Sequence, residues 1–157
     1  MAGGKLVIAH RESSVPFSYV NEKTGQPIGY AMDMCLHLAE TVRRPTGKKD
    51  TGVTFLQVTP ANRVSVIAEG KADMECGSTT NNAARQQQVA FAPTPFVTNV
   101  RRAVKKASGI TGLQQLNGKP VATTTGTTSV QLMRGHEKGK GVDFKEVYGK
   151  DPADAFL

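Results

Sequence analysis

The chain of 157 residues has no tryptophan, two cysteines, three histidines, three tyrosines and six phenylalanines. Each shortage excludes something. Two cysteines cannot frame a disulfide-rich scaffold. His10, His37 and His136 show no ligand spacing with Cys35, Cys76 or a carboxylate cluster, so neither a metal centre nor a cofactor is expected. So few aromatics, without an RNP-like motif or zinc-finger spacing, leave no stacking platform for bases. No apolar run approaches the ~20 residues of a membrane span. No apolar h-region opens the chain, though a secreted protein stripped of its leader would read the same. Residues 1–4, Met1-Ala2-Gly3-Gly4, read as a tag or scar ahead of the first strand.

What is present is positive charge, a net +7. The densest basic pairs, Arg43-Arg44, Lys48-Lys49, Arg101-Arg102 and Lys105-Lys106, are scattered and form no single block. The charge therefore suits a modest field that draws in a small anion, and no nucleic-acid partner is expected. Cys35 and Cys76 form either one structural disulfide or two buried thiols.

Read in order, the chain alternates strands and helices, an α/β pattern. Lys5 to His10 is nearly all apolar and reads as a central parallel strand. Arg11, Ser13, Ser14 and Phe17 follow directly, at the carboxyl end where open α/β sheets place ligands. Asn21 to Pro27 is a polar turn able to join a short hairpin. Gly29 to Val42 reads as a helix with Ala31, Met34, Cys35, Leu38, Ala39 and Val42 on its apolar face and His37 on the other. Pro45 and Gly47 stop that helix, and Lys48-Lys49-Asp50 reads as an exposed loop. Val53 to Val58 is a second strand. Thr59 is expected to cap the next helix, with Pro60 at its first position. That leaves Arg63 in the first turn, where the helix dipole disfavours a cation. Such a break with a local rule points to function, or to an exposed arginine tolerated at small cost.

Ala72 to Cys76 is a third strand, and it spills into Gly77-Ser78-Thr79-Thr80-Asn81-Asn82. A Ser/Thr-rich turn at a helix start offers backbone N–H groups and hydroxyls to a carboxylate or phosphate. Arg85, further along, can complete the grip as a bidentate fork. An ordinary N-capped helix is the bland alternative. After Pro93 and Pro95, residues 96–105 read as extended. A short helix near Leu113–Leu116 and a strand at Pro120–Thr124 begin a second α/β unit. Its strand ends in Thr125-Gly126-Thr127-Thr128-Ser129, a second polar turn at a helix start. It is not a Walker A loop. Residues 135–141 read as a basic glycine-rich loop, 143–148 as a strand, and 151–157 as a short helix.

Together these segments resemble the glutamate/aspartate-binding proteins within the family 3 solute-binding proteins of bacterial ABC transporters. The resemblance rests on Arg11–Phe17, Gly29–Asp33, Ala61–Arg63, the run Glu75-Cys76-Gly77-Ser78-Thr79-Thr80-Asn81-Asn82, Arg85-Gln86 with Val89–Phe91, and Gly126–Ser129. It implies a periplasmic-binding-protein-like fold: a near-complete first lobe over 5–93, a hinge crossover over 94–106 and an incomplete second lobe over 107–157. It implies that Arg85, aided by Thr80, holds the α-carboxylate of an acidic amino acid and that Ser78 helps hold the amino group. Arg11 and Arg63 would face the side-chain carboxylate, Phe17 would form an apolar wall, and Thr125, Thr127 and Thr128 would contribute from the second lobe. Ser13 belongs to the same ligand-binding set.

The implied partner is an ABC permease, the implied compartment the periplasm, and the implied function binding without catalysis. In that compartment a Cys35–Cys76 disulfide is the expectation beside two reduced core thiols. Two departures from the family pattern stand out: Pro60 replaces a small polar residue and Pro152 replaces a histidine. Family members are close to twice as long, so the sequence is expected to be a truncated form that self-associates through an uncovered edge. The alternative functions are an oligomeric interaction or sensor module, or a dehydratase of the same fold with Glu12 as the nearby carboxylate.

Overall fold

The structure is a computed structural model that describes residues 5–43 and 52–156. The expectations for residues 1–4, Arg44, Pro45, Gly47, Lys48-Lys49-Asp50 and Leu157 lie outside the described residues. The chain divides into two compact units, Met1–Phe91 and Ala92–Leu157.

In the first unit β1 (Leu6–His10) is central, with β5 (Val53–Gln57) on one side and β6 (Met74–Cys76) on the other, all parallel. Its apolar run suits a strand covered on both faces. Leu6 and Ile8 pack on one face with Met32, Ala39 and Cys76. Ala9 packs on the opposite side with Val58, Val66 and Ala72. Between β1 and α1 lies a small antiparallel sheet of β2 (Ser13–Ser14), β3 (Ser18–Val20) and β4 (Pro27–Ile28). The polar turn with Gly25 at φ 68° joins β3 to β4 as a hairpin, as expected.

Helix α1 (Tyr30–Arg43) begins at Gly29, where φ is 124° and a Cβ would lie 2.7 Å from the Phe17 carbonyl oxygen. The Tyr30 and Ala31 N–H groups donate to the Pro16 and Phe17 carbonyls, so the loop between β2 and β3 caps the helix. The helix faces the core differently from the sequence expectation. Met32 and Ala39 are buried with Cys35 and Leu36 partly covered, whereas Met34 and Leu38 are exposed. Cys35 is tied to Cys76 by a disulfide with Cα atoms 6.3 Å apart.

Helix α2 (Arg63–Ala68) starts three residues later than expected, after a turn. The Thr59 N–H donates to Asn62 Oδ1 at 2.8 Å and the Asn62 N–H to Thr59 Oγ1 at 3.3 Å, so the two residues cap each other. Helix α3 (Ala83–Gln86) is a single turn capped by Asn82, whose Oδ1 accepts from the Arg85 N–H at 3.0 Å.

In the second unit residues 92–105 carry no helix or strand, and the segment at Leu113–Leu116 is a 3-10 turn. β7 (Pro120–Thr124) and β8 (Lys145–Gly149) pair in parallel. They are joined by α4 (Thr128–Lys140), which overturns the expected loop at 135–141. Gly135 and Gly139 lie inside the helix. Met133 buried against Leu116, Val142 and Phe144 outweighs their poor propensity, and Lys138 and Lys140 suit the last turn. Gly141, at φ 61°, ends it. Helix α5 (Pro152–Phe156) is capped by Asp151, whose Oδ1 accepts from the Asp154 N–H at 2.9 Å.

Candidate functional site

The carboxyl ends of β1, β5 and β6 lie side by side, and each leads into a polar segment. After β1 comes Arg11, only 2% exposed. Its N–H donates to Oγ of the fully buried Ser18 at 2.9 Å, and its carbonyl accepts from the His10 ring at 3.0 Å. Ser13 is half-buried, and its Oγ is buried with no hydrogen-bond partner. Ser14 reaches across to the turn after β6, its Oγ 2.6 Å from that of Ser78. Phe17 is half-buried and meets Tyr30 edge-on at 6.1 Å. It owes that position to the capping of α1 by its own carbonyl.

After β5 the Thr59–Asn62 turn delivers Arg63, which is 3% exposed. Its Nε and Nη1 atoms are buried without hydrogen-bond partners. Arg63 is thus no exposed arginine tolerated at a helix start. Burial lowers its pKa to about 10, with Glu75 pulling the other way and Arg11 and Arg85 adding to the fall. It remains a cation at neutral pH.

After β6 come Gly77, Ser78, Thr79 and Thr80. Ser78 and Thr80 are exposed. They do not open a helix, since α3 begins at Ala83; they line a turn ahead of it. Arg85 folds back over this turn, and its Nη1 donates to the Thr80 carbonyl at 2.9 Å. Burial lowers the Arg85 pKa, opposed by Glu75.

Glu75 is the residue that sequence reasoning missed as part of the site. It pairs across the ladder with Ala9. Strand alternation turns it away from Cys76, toward the side where Val66 of α2 packs. Burial pushes its carboxyl above the ordinary range, against the pull of Arg63, the Thr79 hydroxyl, Arg11 and Arg85. A Cβ on Gly77 would lie 2.5 Å from Glu75 Oε1 and 3.1 Å from Arg11 Cγ, which fixes how closely the three meet. The available signal was parity: Met74 and Cys76 take the core positions of β6, so residue 75 must face the other way.

In the second unit Thr125 is exposed, and Thr127 and Thr128 are half-buried. Gly126, at φ 76°, makes the turn, and Thr127 Oγ1 donates back to the Thr124 carbonyl at 2.7 Å. Thr127 occupies the N-cap of α4 without a side-chain cap bond.

Residues 6–153 match the bacterial extracellular solute-binding proteins, family 3. The chain belongs to this family. A Pseudomonas aeruginosa protein named an L-glutamate/L-aspartate-binding protein is 36% identical over 98% of this chain and 51% of its own length. The glutamate/aspartate import solute-binding protein of Salmonella typhimurium is 39% identical over 98% of this chain and 50% of its own. The chain thus spans about half the length of the curated relatives it matches.

Among solved structures, an ancestral amino-acid-binding protein described as a precursor of cyclohexadienyl dehydratase superposes with a TM-score of 0.76 at 23% identity. That match covers 98% of this chain and 64% of the other. At that identity the likeness speaks for the periplasmic-binding-protein-like fold alone. Within this family 3 protein, the expected Cys35–Cys76 disulfide is present and fastens α1 to the strand that leads into Gly77. A second cluster went unread in the sequence. Arg134 of α4 donates from Nε and Nη2 to the two carboxylate oxygens of Glu146, each at 3.1 Å, and from Nη2 to Tyr148 Oη at 2.8 Å. Tyr148 also donates to Glu146.

Proposed function

We propose that the protein captures an acidic amino acid, glutamate or aspartate, as the substrate-binding component of an ABC amino-acid importer in the periplasm. The observation that carries this reading is the gathering of Arg11, Arg63 and Arg85 at one end of one sheet, within electrostatic reach of one another. Guanidinium forks suit carboxylates in bidentate geometry. The names of the relatives support the same ligand class.

In this reading Arg85, oriented by the Thr80 carbonyl, takes the α-carboxylate. Arg11 and Arg63 take the side-chain carboxylate. Ser78, steadied by Ser14, meets the amino group, with Ser13 beside it and Phe17 as an apolar wall. For Thr125, Thr127 and Thr128 the family likeness alone supports a ligand-contacting role. Segments 5–93 and 107–157 are the two lobes, and 94–106, which carries no strand, is the crossover. The permease is the partner, and capture involves no chemistry. Glu12, the carboxylate nominated for a dehydratase, is exposed, which speaks against that alternative.

Calorimetry with L-glutamate, L-aspartate and L-glutamine tests the reading. The acidic pair should bind, with L-glutamine weaker. Arg85→Ala should cost about 3 kcal/mol, roughly a hundredfold, because it strands a carboxylate without its fork. No heat with any of the three overturns it. Self-association is a second reading, favoured by the outer edges of β7 and β8, which have no ladder partner among the described residues. A clean monomer by light scattering at micromolar concentration removes it.

A further inference from the structure

Ligand capture as described leaves Glu75 without a part, although it sits among the three arginines. Its Oε1 atom is buried and has no hydrogen-bond partner, and the same holds for Nε and Nη1 of Arg63. The approach to Gly77 places that oxygen beside the Arg11 stem. Carboxylate and guanidinium here act on each other through charge, in a setting from which water is largely excluded and charges are felt strongly. Arg63, Arg11 and Arg85 all pull Glu75 toward its charged form, against the burial that raises its pKa.

We propose that Glu75 is a resident counter-anion and a specificity-determining residue of this site. It occupies part of the guanidinium charge of Arg63 and Arg11 while the site is empty. A simple inorganic anion must then compete with a carboxylate that is already in place, and it offers no arrangement matched to several donors at once. An amino acid with two carboxylates does offer one, and its extra hydrogen bonds carry it past the competition. The inference rests on the carboxylate-binding reading above and deepens it. The other titratable groups nearby do not substitute for Glu75. Asp73 is engaged by the Val7 N–H at 2.8 Å. His10 turns to the opposite face of the sheet, where its ring meets Phe55 edge-on.

The test uses the full chain and inorganic sulfate, so it does not depend on any amino acid binding. Sulfate affinity is measured by titration and by thermal shift against chloride at equal ionic strength. Glu75→Gln keeps the shape and removes the charge, and should bind sulfate about tenfold more tightly than wild type, the scale of one close charge pair. Glu75→Asp keeps the charge and should bind sulfate as weakly as wild type. Equal sulfate affinity in wild type and Glu75→Gln overturns the proposal. So does a Glu75→Asp response as large as that of Glu75→Gln, because shape rather than charge would then be what was lost. A Glu75→Gln chain that is unfolded in chloride and folds in sulfate supports the proposal; one unfolded in both assigns Glu75 to folding and overturns it. An L-glutamate titration of the same proteins separates the two ideas. A sulfate gain without any L-glutamate binding sinks only the capture reading. L-glutamate binding without a sulfate gain sinks only the counter-anion.

Discussion

After β6 the chain turns through residues 77–82, and after β7 through residues 125–127; each turn leads from a parallel strand into a helix. Around the first, three arginines and a glutamate are drawn under cover, and two of the arginines are almost fully buried. Around the second the groups on offer are hydroxyls and backbone N–H groups. Charge there is kept on the surface, in the Arg134–Glu146–Tyr148 cluster. The first unit also carries the disulfide. A buried charge is costly unless paired, so the first turn needs a rigid frame, whereas a surface network in water needs none. The same local plan therefore carries different chemistry: clustered, largely buried charge in one unit and hydroxyls in the other.

The largest expected break in this comparison is covalent. Reducing Cys35–Cys76, or replacing both with serine, frees a loop spanning a sequence separation of 41 and should cost the first unit about 4 kcal/mol by the chain-entropy relation. Hydrogen exchange should show protection lost in β1, β5 and β6, with β7 and β8 unchanged. Equal loss in both units would mean that they do not differ in this way.

A smaller effect comes from pH. The folded-state pKa of Glu75 is raised above its ordinary 4.5, so between that value and the raised one the native state holds a proton that the unfolded chain has released. Its contribution to stability is fully present below 4.5 and is lost as pH rises through the raised value. Unfolding midpoints of wild type minus Glu75→Gln, followed upward from pH 4, should fall. A flat difference would place Glu75 in water rather than in the socket. The smallest effect is expected at the surface. Arg134→Ala removes an exposed network, and the melting midpoint should stay within measurement error of wild type.

Much of the first unit is legible because its strands are short apolar runs with little else to become. The carboxyl-end placement of Arg11, Arg63 and Arg85 follows from that order alone. The face of α1 is less legible, since Met34 and Leu38 fit an apolar stripe as well as Met32 and Leu36 do. Met32 and Leu36 face the core by packing with Leu6, Ile8 and Cys76, contacts distant in sequence that local periodicity does not encode. Helix α4 was hidden by Gly135 and Gly139, whose cost is offset by packing of Met133 against Leu116, Val142 and Phe144. Glu75 was hidden because a carboxylate is not what one seeks beside arginines proposed to hold carboxylates.

Gly77 carries a consequence for anyone who would vary this protein. Its hydrogen is all that fits between the Glu75 oxygen and the Arg11 stem, so even alanine must push one of them aside. In a randomised library, position 77 would then behave as a second address for the same electrostatic setting. The smallest residue in the loop would tune the socket without itself bearing any charge.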